Sequence, residues 1–473
     1  MKLKTVRPDG QTPFPWRSFL RQLMAIGIPV ALQNVLTTTA SMVDTIMLAT
    51  VGELTVGAVG LCAQFTSLMF SCYWGFVGGG MLFFSQFWGA KDDDGINRSY
   101  GLTLICMMAV GLTFGLLGTL FPEAIMRVYT DKAAIREIGV RYLRIVGFAY
   151  PLQVLAMAMS ALLRSTERVR IPLIASIAAL VTNLAVNWLL IFGHFGFPAL
   201  GVQGAAIATL LSAIVNVLVI VALAARAKHP YLLRVREHFR FDRALTKEYF
   251  VKCFPIICNE LLIGISNMAI NMVLGRQIEQ AIVATAVFRT LEGFVIGFFS
   301  GFTNASTVLV GKCVGSGDHE TAFARAKRLI PLCPCVIFCA CMLLVSLRSP
   351  LLHAMGLQGE SYEICVRMLL IYTVFGSIRM TNWIQNDTFR AAGDPYFGTI
   401  REIAFAYLMM LPCVISSGIW LKLPFLVVFA CTYIDEPVRL VLMLRHTLSA
   451  RWIRPVTVEG QKTIAEFRQK YVK

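Results

Sequence analysis

The sequence predicts an all-α integral membrane protein whose twelve transmembrane helices form two pseudo-symmetric six-helix lobes. Three observations predict it. Hydrophobic residues fill 57% of the 473 positions against 15% for charged ones, and the mean hydropathy is +0.67, far from soluble averages. Roughly a dozen apolar runs reach the ~20 residues that a helix needs to cross about 30 Å of hydrocarbon. The chain also repeats itself at an offset of 226 residues.

The runs lie at about 22–50, 56–87, 99–121, 139–163, 171–193, 204–226, 250–274, 281–311, 329–347, 366–389, 400–418 and 423–444. They are continuous, whereas a barrel wall alternates apolar and polar residues over ~10-residue segments. The opening stretch "MKLKTVRPDGQTPFPWRSFLRQL" is polar and basic and leads into a full-length span, so no cleavable signal is expected and the N-terminus is placed in the cytosol. Twelve crossings return the C-terminus to that side. Lys and Arg there outnumber those on the other side by roughly three to one, which fixes orientation. The net charge of +16 is therefore mainly topological. The basic stretch at 226–252 fits an inner loop beside anionic lipid, and nucleic acid is not an expected partner. A multi-pass protein of the cell (inner) membrane, both termini cytosolic and functional as a monomer in the lipid bilayer, is the expectation.

The 13 cysteines resemble a metal or disulfide framework only in number. Cys62, Cys72, Cys106, Cys253, Cys258, Cys339 and Cys341 stand singly in apolar spans, Cys333 and Cys335 share a "CPC", and no C-x-x-C occurs. They read as small apolar residues.

The repeat sets the domain plan. Pro29 of "IPVALQNVL" falls on Pro255 of "FPIICNELL", and Gln33 falls on Asn259. In the same register Gly75, Phe76, Gly89 and Asp92 fall on Gly301, Phe302, Gly315 and Asp318, and Arg164 falls on Arg390. Residues 1–226 are thus an N-lobe, 227–249 a basic cytosolic linker, 250–445 a C-lobe and 446–473 a cytosolic tail, either a surface helix or unstructured. An even number of spans per copy inserts both copies the same way. Parallel repeats of this kind are a transporter architecture, with the site expected between the halves near the midplane.

Several motifs resemble the MATE family of multidrug and toxic compound extrusion transporters. They are "P…DTIM" in the first span, "G…QFWGAKD" closing the second, "NxxxNWLLIFGHFGFPALGVQGAAIAT" across the fifth and sixth, and "NELL" in the seventh. The resemblance runs from about 20 to 450 and implies a twelve-helix antiporter that exports organic, often cationic, compounds in exchange for H+ or Na+. It implies cation coupling at Asp44, with Asn183, Asn187 and Thr209 beside it, and a role in the other lobe for Glu260. The sequence departs from the family pattern at Arg379, where many relatives have an acid with Asp387 two turns on, and at Asn187, where some have a second carboxylate.

The buried polar residues bear on the same function. An ionisable group in a span costs about 2.5–3.5 kcal/mol on insertion scales, so Asp44 should face a wet cavity or a partner. Poor solvation disfavours a bare carboxylate, and Asp44 can then alternate between proton-bound and free states. Asn183 and Asn187, four apart, share a helix face and with Asp44 offer oxygens to Na+, a metal site only if Na+ is the coupling ion. Gln33, Asn34, Glu260, Asn267, Asn271, Arg289, Glu292 and Arg379 are candidate cavity residues, the last three also forming a simple Glu–Arg pairing. Gly78, Gly79 and Gly80 serve close helix approach or bending, since no Lys-Ser/Thr follows them as in a phosphate loop. Pro29 and Pro255 are expected kinks. No cofactor is expected beyond the coupling ion, H+ or Na+, and the partners are small organic substrates. No enzyme constellation is present: H-E-x-x-H is absent and the six histidines are scattered. The alternative is a flippase of a lipid-linked substrate, which needs an interior rich in basic groups.

Overall fold

The computed structural model describes residues 14–233, 238–239 and 242–472, and over these the regular structure is helical throughout. The first lobe holds α1 (Trp16–Ala49), α2 (Glu53–Ala90), α3 (Asp93–Leu120), α4 (Ala133–Val146), α5 (Ala149–Ser165), α6 (Arg170–Phe192) and α7 (Val202–Arg226). The second holds α8 (Arg243–Leu274), α9 (Glu279–Gly315), α10 (His319–Ser346), α11 (Gly359–Ala391), α12 (Pro395–Trp420), α13 (Phe425–Cys431) and α14 (Glu436–Ser449); α15 (Val458–Tyr471) follows. Ten of these helices are individually long and apolar enough to span a membrane. The fourth crossing is α4 and α5 together, bent by 50° beside Gly147, which packs against Gly115 and Thr119 of α3. The twelfth is α13 and α14, each too short to span alone, with Glu436 and Arg439 in its second half.

The repeat motif now has a physical explanation, position by position. Lys91 and its repeat mate Gly317 both take a left-handed backbone, with φ of 58° and 82°, just past the ends of α2 and α9. The next residues, Asp92 and Asp318, cap α3 and α10 by accepting from the Gly95 and Thr321 amides at 2.9 and 3.1 Å. The glycines make the contacts between lobes. A Cβ on Gly75 would strike Ile257 of α8, and one on Gly301 would strike Gly27 and Ala31 of α1. One on Gly89 would fall on the Lys312 carbonyl, and one on Gly315 on that of Gln86. Both sets are related by the 226-residue offset, so the lobes meet through a pseudo-twofold seam of bare backbone: α1 on α9, α2 on α8, and α2 across α9.

That seam lies in the half of the bundle nearer the chain termini. Asn34 donates to Ser300 near mid-depth, and towards the termini Thr103 meets Tyr249 at 2.9 Å and Lys312 meets Glu167 at 2.7 Å. Described parts of the linker fold back on the first lobe: Tyr231 donates to Asp93 at 2.6 Å, and His238 backs onto Gly101. Burial, then the neighbouring Arg168, push His229 down to about 4, so it is neutral beside Thr166. The tail, left open between helix and coil by the sequence, is a helix docked on the second lobe.

Overpacking the seam should be costly. Gly301→Val is expected to lower stability by about 1–3 kcal/mol, read as a drop in thermal midpoint in detergent. Gly57→Ala, where no atom lies within 4 Å of an added Cβ, should leave the midpoint in place; equal shifts in the two variants would contradict the seam.

Candidate functional site

Asp44 lies little more than one turn from the end of α1, facing α6. Asn183 and Asn187 sit one turn apart on the facing surface of α6 and are buried. Asn187 donates Nδ2 to Asp44 Oδ1 at 2.5 Å and to Asn183 Oδ1 at 3.2 Å. Its own Oδ1 is buried without a hydrogen-bond partner among the described residues. Asp44 also borders a cavity of 440 Å³ walled by α1, α2, α4 and α7. Ser41, Thr45, Thr66, Ser67, Tyr142 and Thr209 supply its polar lining, Leu48, Val56 and Phe70 much of the apolar lining, and Asp44 the sole carboxylate among the described residues.

The Asp44 cavity lies within the first lobe, in the half away from the termini, rather than between the halves. Gln33 and Asp44, eleven residues apart and so on one face of α1, both meet α6, at Ser176 and at Asn187. Gln33 and Asn34, expected in a substrate cavity, are engaged elsewhere. Gln33 is buried, donating to Ser176 at 2.9 Å and accepting from Arg164 at 2.7 Å. Asn34 belongs to the seam through Ser300.

The second lobe carries a connected ionic network instead. Arg289 meets Glu292 at 2.8 Å, Glu292 meets Arg379 at 3.5 Å, and Arg379 reaches Glu436 at 3.9 Å. Arg439 joins Glu436 at 3.5 Å, Asp435 at 3.3 Å and Glu402 at 3.2 Å. Arg390 closes the chain on Glu402 at 4.0 Å, Glu260 at 3.3 Å and Asp387 at 3.6 Å. The expected Glu–Arg pairing of Arg289, Glu292 and Arg379 is present, and Glu260 is tied to a guanidinium. Asn271 receives Arg289 Nη2 at 3.4 Å, while Asn267 is exposed on α8.

Glu402, Glu436 and Arg439 were not singled out from sequence, although charges inside apolar spans eleven and twelve are the signal that marks them. The register gives a second signal. Asn259 donates to Glu402 at 3.1 Å across 143 residues, the same separation that joins Gln33 to Ser176. Asp44 and Asn187 are also 143 apart.

A family model described as MatE matches residues 29–189 and again 255–415, two segments whose ends both stand 226 residues apart. The chain is 27% identical over 404 residues to the probable multidrug resistance protein YoeA of Bacillus subtilis, covering 83% of this chain and 84% of that one. Among solved structures it is similar to an outward-facing multidrug resistance MATE family transporter of the MOP superfamily, with a TM-score of 0.80 at 18% identity over 97% of this chain and 100% of the other. A MOP superfamily transporter from Pyrococcus furiosus, whose binding pocket is described as reversed in polarity, gives a TM-score of 0.78 at 19% identity over 92% of this chain and 98% of that one.

The network and a surface pair should differ sharply on mutation. Arg439→Leu strands buried carboxylates and is expected to cost about 3–5 kcal/mol, whereas Arg127→Ala, which breaks the exposed pair with Glu123, should stay within about 0.5 kcal/mol. Thermal unfolding of the two purified variants checks this.

Proposed function

Because this chain belongs to the MATE family, the multidrug and toxic compound extrusion transporters, we propose that it is a secondary antiporter that exports amphipathic, mainly cationic organic compounds and takes in H+ or Na+ at Asp44. The observation that carries this is Asp44 itself: it forms no ion pair among the described residues and stands between a buried amide and a cavity. At 440 Å³ that cavity falls in the range of about 300–1,000 Å³ typical of small-molecule sites. Its one carboxylate suits a compound with one positive charge. Phe70 and Tyr142 offer aromatic faces to the rest of such a molecule.

Exchange follows from competition. A carboxylate neutralised by a proton or Na+ has lost its attraction for an organic cation, so the two ligands favour different states and entry of one drives release of the other. The Asn187 Oδ1 that lacks a partner supports the assignment. It is an acceptor suited to a protonated carboxyl and, with oxygens of Asp44 and Asn183, a donor set suited to Na+. Glu260 is already held by Arg390, which favours the Asp44 cavity as the substrate site. The basic termini end faces the cytosol of the cell membrane by the positive-inside rule. The lobes meet at that end, so the Asp44 cavity communicates with the outside. One chain supplies both lobes and the cavity, consistent with a functional monomer.

A lipid-linked substrate bearing phosphate fits less well. The guanidiniums at Arg289, Arg379 and Arg390 are each bound to carboxylates, and none borders the Asp44 cavity.

Efflux of a fluorescent organic cation from reconstituted vesicles, under a pH gradient or a Na+ gradient imposed separately, tests the proposal. Wild-type protein should respond to one gradient, and Asp44→Asn should fall at least about ten-fold, to the level of empty vesicles. Gradient-driven efflux at the wild-type rate by Asp44→Asn would sink the assignment.

A further inference from the structure

At the termini end, where α2 crosses α9, two side chains at repeat-related positions reach across the seam, and they differ in kind. Lys312 of α9 pairs with Glu167 at 2.7 Å, with side chains 39% and 32% exposed, so water screens the pair. Its mate, Gln86 of α2, is fully buried. Gln86 Nε2 donates to the Ala391 carbonyl of α11 at 2.7 Å, and Gln86 Oε1 accepts from the Val456 amide at 2.8 Å. Both ends of the amide are thus held by the opposite half of the molecule, one by the lobe and one by the segment after the last span.

That segment is anchored to the second lobe. The Arg454 amide donates to Ala392 at 2.8 Å, Thr457 Oγ1 to Gly315 at 2.7 Å, and Thr463 Oγ1 to Gly317 at 3.0 Å. Trp452 is fully buried, with its Nε1 on Thr447 at 3.0 Å. Ala391 and Val456 therefore form a socket fixed on the second lobe, an acceptor and a donor spaced for one primary amide, and the amide comes from the first.

We propose that Gln86 and the segment 450–457 form a latch that holds the termini end of the cleft shut, so that the chain beyond the last span sets the balance between the two access states. Opening at this end must withdraw Gln86 and leave the Ala391 carbonyl and Val456 N–H to find water. Without the tail, closure would bury Gln86 Oε1 with no donor. The Lys312–Glu167 pair, already wet, discriminates far less between the two states. The inference relies on the antiporter assignment only for the purpose of the two states; the latch itself is a property of the purified protein.

Hydrogen–deuterium exchange on purified full-length protein, without substrate or gradient, tests it. Gln86→Met removes both bonds at nearly constant length, and Val456→Pro removes one donor from the other side. Each is expected to raise exchange at the termini ends of α2 and α9 and lower it at the opposite loops, with the closed population falling on the order of ten-fold. The double variant should shift little further than Gln86→Met alone, since both act on one contact. Lys312→Met should leave the pattern nearly unchanged. Unaltered exchange at the ends of α2 and α9 in Val456→Pro, or fully additive shifts in the double variant, would overturn the latch. If Gln86→Met fails to fold, Val456→Pro still decides. Efflux assays on the same variants separate the two ideas: shifted exchange with no cation-driven transport would remove the antiporter assignment and leave the latch standing.

Discussion

Everything in this structure depends on one constraint: a polar group within the membrane must find its partner inside the protein, because the surrounding hydrocarbon offers none. The two lobes share a backbone plan and meet this constraint differently. In the first, neutral partners prevail, with Gln33 holding Arg164 and Ser176, and Asn187 holding Asp44. In the second, the mates of Asn34 and Ser176 are Glu260 and Glu402, and guanidiniums gather carboxylates into a chain. Duplication has preserved where polar side chains point while their charges have diverged. The result is an acid within a span, Asp44, with no ion pair among the described residues, beside a second lobe whose Glu260, Glu292, Glu402 and Glu436 contact arginines.

Close packing carries the second constraint. Glycines at mate positions let α1 lie on α9 and α8 on α2 with backbone almost against backbone. That surface joins the two lobes and has little slack, since interiors pack like crystals. Motion between the lobes must pivot on it or part it. The polar contacts across the seam are few, and those described cluster at mid-depth and towards the termini. Two stiff bodies joined by a seam at one end are the mechanical condition for rocking.

Much of this was legible in the chain. Apolar length located the crossings, although α10 starts ten residues before the run at 329–347, and the 226-residue offset recurs in the two segments of the family match. The grouping of Asp44 with Asn183 and Asn187 came from the family resemblance, spacing alone showing only that the two amides share a helix face, and the three are in hydrogen-bond contact. Gln33 and Asp44 share one face of α1, and only their neighbours, Arg164 and Ser176 beside Gln33 and a cavity beside Asp44, decide which of them faces open space. The second-lobe network was missed because Glu402, Glu436 and Arg439 lie far apart in sequence and gain meaning only as partners. The tail was illegible for a related reason: Trp452 and Phe467 are buried against surfaces that exist only once the second lobe has folded.

The asymmetry between lobes bears on how coupling can be tight. Exchange requires a group whose charge state changes the preferred conformation, so its interactions must differ between states. A carboxylate locked to a guanidinium is a poor candidate, because a ligand must first compete with a tethered cation. In the proposed antiport Asp44 would meet the requirement because its protein partner is an amide, which can hydrogen-bond the acid in either charge state by presenting a different atom. The Asn187 Oδ1 without a partner is the second of those atoms. An amide beside a lone acid thus keeps the site polar enough to admit a cation and neutral enough to release one. A guanidinium at Asn187 would neutralise Asp44 permanently and remove the attraction for both ligands.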